Sequence, residues 1–351
     1  MILTEEHPPS TNRILVDVSP IFYSNLISVT SQMKRSGLKP DSNNKIPFTY
    51  KSELIFAVFE EIKNLKGVFN TSEVILAFDN SEGGYWRKQS YDRYKYKRTK
   101  ARDDSEIEWD KAFEAFNEIK TVLKEFTSFG CLDIPHVEAD DACFVLGDYF
   151  QDKGGVTMVS LDGDWRLSLV YDNVRLYKTR KTQRKAGVYE ILSPEEIQEK
   201  RDTMAIAGDP KDGMLHIKSW SKFSSEFLKE YPKFEGRELE MYPHHHQIEH
   251  KFNLKHDFNS KIQAYKHPRF GYKSFQKTKT KLSDLLQENP IYKMNYNRNK
   301  ELCLPEFIPE HLRVEIISTY ETAKTDHNPG ELQKFFIKNN LFELTGIISQ
   351  L

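Results

Sequence analysis

Several common patterns are missing from this chain of 351 residues. It has only three cysteines and no CxxC pair, and it contains neither an HExxH nor a GxxxxGK(S/T) motif. These absences argue against a disulfide framework, a zinc hydrolase and a P-loop ATPase. No apolar run approaches the ~20 residues of a membrane span, and the first residues do not form a signal peptide. We therefore expect a soluble, intracellular protein with buried, reduced thiols.

Acidic residues are placed unusually, although the net charge is only −1. Short apolar runs at 13–16, 74–78, 156–161 and 204–208 are each followed by an aspartate, and a further acidic cluster opens an apolar helical pattern near 138. Together these segments supply nine carboxylates: Asp17, Asp79, Glu138, Asp140, Asp141, Asp162, Asp164, Asp209 and Asp212.

Acids that follow parallel strands gather at one edge of a sheet, where they repel each other unless divalent cations neutralise them. Magnesium prefers carboxylate and water oxygens, and two ions about 4 Å apart can clamp the attacking and leaving oxygens of a phosphodiester. The pattern therefore predicts a hard-metal site. The alternative is that single aspartates cap helices or sit in turns.

The order of apolar patterns indicates an α/β fold. Strands are predicted at 13–18, 73–78, 156–161 and 174–178, with a turn at Ser19-Pro20 and helices at 52–67, 110–127 and from about 138. Such alternation predicts a mostly parallel central sheet flanked by helices. From about 195 the strand signal fades, so we predict an α/β core over 1–195 and a mainly helical region over 196–351.

Basic and aromatic residues are interleaved at 85–102, with the sequence YWRKQSYDRYKYKRTKAR. Cations neutralise phosphates and aromatic rings stack on bases, so the segment predicts a nucleic-acid surface. A solvated helix face is the alternative. Residues 261–281 contain no acid and are either a DNA-backbone surface or a basic loop. The candidate contacts are Tyr94, Arg87, Lys88, Arg93, Lys97, Lys266, Arg269, Lys273 and Lys277.

Here the motifs resemble a known family. AFDN at 77–80 followed by YWR, then Tyr94-Lys95 and Arg98, resembles the arch segment of the flap endonuclease (5′ nuclease) superfamily, especially its T-even phage branch. The remaining motifs stand in the family's order: VDVS at 16–19, EADD at 138–141, SLDGD at 160–164 and GDPKD at 208–212.

The resemblance implies a PIN-like 5′ nuclease core with a helical arch at about 85–105. Lys95, Arg87 and Arg98 would be the arch cations at the scissile phosphate, with Lys95 nearest to a catalytic electrophile and Tyr94 the stacking aromatic. The implied ligands of a first metal are Asp17, Asp79, Glu138 and Asp140. Those of a second are Asp162, Asp164, Asp209 and Asp212, with Asp141 in the same acidic cluster.

The implied function is removal of RNA primers in phage replication by 5′→3′ exonuclease and flap endonuclease action, with two Mg²⁺ ions that Mn²⁺ can replace. The implied substrates are flap or forked DNA and RNA–DNA hybrids. A single-strand-binding protein and a sliding clamp are expected partners of a cytoplasmic monomer. One departure is that no Pro-Gly follows GDPKD. The sequence therefore does not establish whether the chain has the family's helical DNA clamp and the potassium site held by that clamp.

Two other functions are compatible with parts of the pattern. A PIN-type ribonuclease shares the acidic α/β site, but the basic aromatic segment disfavours it. A non-catalytic DNA-binding protein on the same fold would be expected to lose carboxylates, and all the matched positions are acidic here.

Overall fold

The computed structural model describes residues 12–71, 73–91, 94–95, 97–179, 187–218, 229, 232, 270–323 and 327–351. The chain divides into two compact units. The sheet unit comprises Met1–Gly83, Arg102–Ile197 and Pro309–Leu351. The helical unit comprises Gly84–Ala101 and Gln198–Ile308.

The sheet unit is built on six strands in the order β3-β2-β1-β4-β5-β6. All neighbouring strands are parallel except the last pair, β5 and β6. The predicted mostly parallel α/β fold is therefore confirmed. The strands are β1 (Arg13–Asp17), β2 (Glu73–Ala77), β3 (Gly130–Leu132), β4 (Val156–Val159), β5 (Val174–Lys178) and β6 (Val188–Glu190).

Both faces of this sheet are covered, as the apolar strands require. Ile14 and Val16 of β1 lie in a core with helices α1, α2, α5 and α12, while Leu15 between them is equally buried. Helix α6 packs on β2 and β4, and α11 packs on α6. The helices of this unit are α1 (Val18–Arg35), α2 (Lys51–Phe69), α5 (Trp109–Phe126), α6 (Ala139–Phe150), α11 (Glu310–Thr322) and α12 (Pro329–Lys338).

The turn predicted at Ser19-Pro20 is wrong, because α1 begins at Val18 directly after β1. Proline is tolerated in the first turn of a helix, where its missing N–H has no intrahelical acceptor. The apolar residues Ile21, Phe22 and Leu26 then follow at helical spacing and are buried. Ser19 consequently lies in the first turn of a helix instead of a loop.

Two strands were not anticipated. Strand β3 and strand β6 have three residues each, too few for a periodic apolar signal. Strand β3 is buried and pairs with β2, whereas β6 forms the antiparallel edge on β5. Short strands of this kind are defined by their neighbours in the sheet more than by their own sequence.

The helical unit has a small core of its own. Ile206, Ile217 and Phe275 are buried together, with Phe270 and Leu282 packed against them. Its helices are α3 (Trp86–Ser90), the start of α4 (Lys97–Asp103), most of α7 (Pro194–Ala207), α8 (Tyr272–Lys279), α9 (Leu282–Glu288) and α10 (Pro290–Cys303).

The compact units differ from a single division near residue 195. Gly84–Ala101 belongs to the helical unit, and Pro309–Leu351 belongs to the sheet unit. The second assignment has a clear cause, because Phe335 and Phe336 of α12 are buried in the sheet unit's core. The three cysteines are buried and free, as predicted. None of the described helices is long and apolar enough to cross a membrane.

Candidate metal and nuclease site

Acidic residues follow three adjacent strands of the sheet. Strand β1 lies between β2 and β4 and is parallel to both. Asp17 is the last residue of β1, Asp79 comes two residues after β2, and Asp162 and Asp164 come shortly after β4. Parallel strands end at the same edge, so the sheet brings these carboxylates to one place.

Two serines hold the carboxylates of Asp17 and Asp79. Ser160 Oγ donates to Asp17 Oδ2 at 2.8 Å, and Ser19 Oγ donates to Asp79 Oδ2 at 2.9 Å. Asp79 also accepts from the backbone N–H of Ala139 through Oδ1 at 3.0 Å. Neither serine is among the site residues predicted from the sequence. Their positions beside the acids in VDVS and SLDGD were the available signal.

The start of α6 brings the third acidic segment to this edge. The bond from Ala139 to Asp79 joins the first turn of α6 to the end of β2. Asp141 accepts from the backbone N–H of Glu138 through Oδ2 at 3.0 Å, as in a capping box. Glu138 and Asp141 are buried, whereas Asp140 keeps partial exposure. Asp141 therefore caps the helix that carries Glu138 and Asp140.

The acids after β4 are arranged by a local turn. The N–H of Asp162 donates to Ser160 Oγ at 2.9 Å, and the N–H of Asp164 donates to Asp162 Oδ1 at 3.0 Å. This is the type of side-chain turn that aspartate favours. A 3₁₀ helix, Asp164–Val170, begins at once. The turn leaves Asp162 exposed and Asp164 half-buried.

Electrostatic repulsion shows that these carboxylates act on each other. Burial and then the neighbouring carboxylate of Asp79 raise the pKa of Asp17 well above its ordinary value, although the hydrogen bond from Ser160 opposes this. Burial raises the pKa of Asp140 well above its ordinary value too, and Asp162 and Asp164 raise it further. In the bare protein, full ionisation of this cluster is therefore unfavourable.

The donor set fits a hydrated divalent cation. Among the described residues, no three His, Cys, Asp or Glu side chains form a ready metal cage. Magnesium does not require one, because it keeps several waters and takes only one or two carboxylates directly. Every donor along this edge is a hard carboxylate oxygen, and a bound cation would relieve the repulsion at Asp17 and Asp140.

The two remaining acids lie in the helical unit, in a loop that follows α7. The run at 204–208 is therefore the end of a helix and not a strand, contrary to the strand-end pattern of the other three runs. Gly208 ends the helix with φ +66°, and a Cβ there would lie 2.8 Å from the carbonyl oxygen of Met214. Asp209 Oδ1 accepts from the N–H of Lys211 at 2.8 Å, which tightens the loop.

Asp212 is paired with the basic aromatic segment. Its Oδ1 accepts from Arg98 Nη2 at 2.7 Å, and its backbone oxygen accepts from the N–H of Lys95 at 2.9 Å. Burial raises the pKa of Asp212, while the charges of Lys95 and Arg98 oppose that rise. Lys95 Nζ lies over the rings of Tyr85 and Tyr94, 5.1 and 5.2 Å from their centroids.

Arg87 and Tyr94 are buried, with 3% and 4% exposure. Arg87 Nε donates to the carbonyl oxygen of Leu302 at 2.7 Å, and its guanidinium lies over Trp86. Both side chains therefore pack within the helical unit. The phosphate contact of Arg87 and the base contact of Tyr94 stay predictions.

The structure describes only some of the other predicted nucleic-acid contacts. Lys88 is exposed, as are Lys273 and Lys277, which lie one turn apart on α8. Arg93, Lys266, Arg269 and the side chain of Lys97 lie outside the described residues.

The sequence also matches a family model. Residues 14–202 match the model of the 5′-3′ exonuclease N-terminal, resolvase-like domain. The chain belongs to the 5′-3′ exonuclease family. The matched range contains the acids of the sheet unit and the basic aromatic segment. The resemblance to 5′ nucleases is thereby confirmed, and the protein is a member of a nuclease family.

The chain is also similar to individual phage proteins. Ribonuclease H of Enterobacteria phage T4 is 27% identical over 286 residues, which cover 80% of this chain and 79% of the relative. Among solved structures, a zinc-bound bacteriophage T5 5′-exonuclease has a TM-score of 0.47 at 16% identity, covering 89% of this chain and all of its own. A T5 flap endonuclease complex with DNA and metal ions has a TM-score of 0.45 at 15% identity, covering 93% and 98%.

Proposed function

We propose that this member of the 5′-3′ exonuclease family is a magnesium-dependent 5′ nuclease that trims 5′ ends and cuts 5′ flaps. Its natural role would be removal of RNA primers from lagging-strand fragments in phage replication. The observation that carries the proposal is the carboxyl edge of the sheet, where burial and then the neighbouring carboxylates raise the pKa values of Asp17 and Asp140. Divalent cations bound at this edge would neutralise the repulsion among its carboxylates.

The sheet unit would provide the main cation site. The charges of six acids act on one another: Asp17, Asp79, Glu138, Asp140, Asp162 and Asp164. Of these we assign Asp17, Asp140, Asp162 and Asp164 as ligands, directly or through water. When bound, divalent ions supply Lewis acidity toward a phosphodiester. Ser160 orients Asp17 by its hydrogen bond. Asp79, Glu138 and Asp141 complete the acidic surroundings, and Asp79 and Asp141 also hold α6 in place.

The helical unit would provide substrate-binding cations and further ligands. Asp209 and Asp212 are the proposed acids, and Lys95 and Arg98 are the cations already beside Asp212. Arg98 has 44% side-chain exposure, and a guanidinium is suited to binding a phosphate. Lys273 and Lys277 present two charges on one face of α8, which suits the backbone of a duplex.

The proposal is tested by cleavage of a 5′-labelled flap substrate with Mg²⁺ and with excess EDTA, using the intact chain and Asp164→Asn. We expect short 5′-labelled products only with Mg²⁺, and none in the variant. Asp148→Asn is a matched control, because Asp148 is an exposed acid on α6. A second arm compares the flap with unstructured single-stranded RNA.

Other outcomes contradict the proposal in distinct ways. Preference for plain RNA would indicate a PIN-type ribonuclease. Tight flap binding without cleavage would indicate a DNA-binding protein that has kept the fold. Full activity of Asp164→Asn would show that the acidic edge is not the catalytic centre.

A further inference from the structure

Helix α10 carries an unusual set of buried polar side chains. Arg298 and Asn299 follow Asn295 by three and four residues, so all three lie on the same side of the helix. Both asparagines are fully buried, with 0% exposure. Buried amides are costly unless they are hydrogen-bonded. The hydrogen-bond partners of these side chains therefore indicate what this face of α10 does.

The amides bind backbone carbonyls on either side of the loop that carries Asp209 and Asp212. Asn299 Nδ2 donates to the carbonyl oxygens of Ala205 at 3.1 Å and Leu215 at 3.0 Å. Asn295 Nδ2 donates to the carbonyl oxygen of Ile217 at 2.9 Å. Side chains of α10 thus fix the backbone before and after the acidic loop, which is the loop that carries Asp209 and Asp212.

Arg298 sets the orientation of both amides. Its Nη1 donates to Asn295 Oδ1 at 3.0 Å and its Nη2 donates to Asn299 Oδ1 at 2.8 Å. A cation accepts no hydrogen bond, so each amide must turn its oxygen to Arg298 and its Nδ2 to the loop. Nη2 also donates to the Leu215 carbonyl at 2.9 Å. The guanidinium lies 4.9 Å from the centroid of the Tyr91 ring.

The same loop is also bound by the basic aromatic segment. The N–H of Lys95 and the side chain of Arg98 bind Asp212, and Tyr91 contacts Arg298. Arg298 is therefore the point at which α10, the acidic loop and the basic aromatic segment meet within the helical unit. A shift of this group would change the positions of both carboxylates.

We propose that Arg298, together with Asn295 and Asn299, is a positioning group that sets the affinity of Asp209 and Asp212 for a divalent cation. The inference deepens the proposed function and rests on it. Residues that orient metal ligands from behind change metal affinity or activity by roughly 10- to 100-fold when they are replaced. A network that merely stabilised the fold would change the melting temperature and leave cation affinity unaltered.

The test measures Mn²⁺ binding to the intact chain, from loss of the free Mn²⁺ electron paramagnetic resonance signal. Asn299→Asp is nearly isosteric but removes both N–H donors, so we expect one class of sites to weaken by roughly 10- to 100-fold. Arg298→Lys keeps the charge and loses the planar fork, so we expect about tenfold. Lys293→Ala, an exposed charge on the same helix, is the control and should bind as the wild type does.

A second readout separates positioning from folding. Flap cleavage by both variants should recover when Mn²⁺ is raised, because excess cation overcomes weak binding but does not repair a misfolded chain. If Asn299→Asp does not fold, Arg298→Lys carries the test alone.

Unchanged Mn²⁺ affinity in folded variants of lower melting temperature would overturn the inference and leave the proposed function standing. A wild-type chain that binds no Mn²⁺ and cuts no flap would instead refute the proposed function itself.

Discussion

The acids of the sheet unit and those of the helical unit have opposite electrostatic surroundings. At the sheet edge, Asp17 and Asp140 face other carboxylates, which raise their pKa values in addition to burial. In the loop after α7, Asp212 faces Lys95 and Arg98, which counteract the effect of burial. The difference teaches that the carboxylates of the sheet edge repel one another, whereas the charge of the loop is partly neutralised by cations of the protein itself.

The largest expected effect is at the sheet edge. Asp162→Asn removes a charge that acts on both Asp17 and Asp140, and we expect a loss in kcat of roughly 1,000-fold, comparable to removal of a key electrostatic group elsewhere. Single-turnover cleavage of a labelled flap measures it. Asp152→Asn, an exposed acid following α6, should cut normally. A loss below tenfold for Asp162→Asn would show that the sheet edge is not the catalytic centre.

Substitution of Arg98 or Asp212, which pair at the loop after α7, should reduce cleavage less than Asp162→Asn does, and the two effects should be coupled. Arg98→Ala leaves Asp212 without its 2.7 Å partner, and we expect a loss of roughly 10- to 100-fold in kcat/KM. Arg35→Ala is a matched control, because Arg35 is an exposed cation in the last turn of α1. Losses for Arg98→Ala and Asp212→Asn should not add in the double variant, since the two side chains act as a pair. Strict additivity would show that the pair is incidental.

Arg87 should affect stability more than catalysis. Its buried guanidinium donates to the Leu302 carbonyl, so Arg87→Ala should lower the free energy of unfolding by about 2 kcal/mol. The neighbouring Lys88 is exposed, and Lys88→Ala should change it by less than about 0.5 kcal/mol. Urea unfolding of the two variants provides the measurement. A stable Arg87→Ala chain with abolished cleavage would restore Arg87 as a phosphate contact.

The smallest expected effect is a gain in stability without metal. Folded Asp140 binds its proton more tightly than unfolded Asp140, so stability falls as pH rises from about the ordinary value of 3.8 through the raised folded pKa. In EDTA at neutral pH, Asp140→Asn should therefore be more stable than the wild type by about 1 kcal/mol. Melting temperatures over a pH series should show the gap close in acid. A difference in melting temperature between Asp140→Asn and the wild type that widens in acid would contradict the predicted direction of the pH dependence.

Much of the sheet could be predicted because three of its strands are continuous apolar runs followed by an acid. Strands β1, β2 and β4 have this form, and their order along the chain implies a common carboxyl edge. Strands β3 and β6 could not be predicted, since three residues carry no usable period. The start of α1 was missed because proline indicates a turn as readily as a first helical turn.

The limits are clearer still in the basic aromatic segment. Interleaved cations and rings predict nucleic-acid binding, yet the same composition suits a buried cluster such as Arg87 over Trp86. Composition does not separate these outcomes, because both use the same cation and ring chemistry. The polar face of α10 was also overlooked, although the spacing of Asn295, Arg298 and Asn299 was visible in the sequence.

The most direct test of the central claim is anomalous diffraction from crystals of the chain grown with Mn²⁺. The account predicts a Mn²⁺ peak at the carboxyl edge of the sheet, within coordination distance of Asp17, Asp140 or Asp162 or of their bound waters. The peak should disappear in Asp140→Asn crystals grown at the same Mn²⁺ concentration. An edge with no Mn²⁺ under conditions in which the protein cuts flaps would contradict the account.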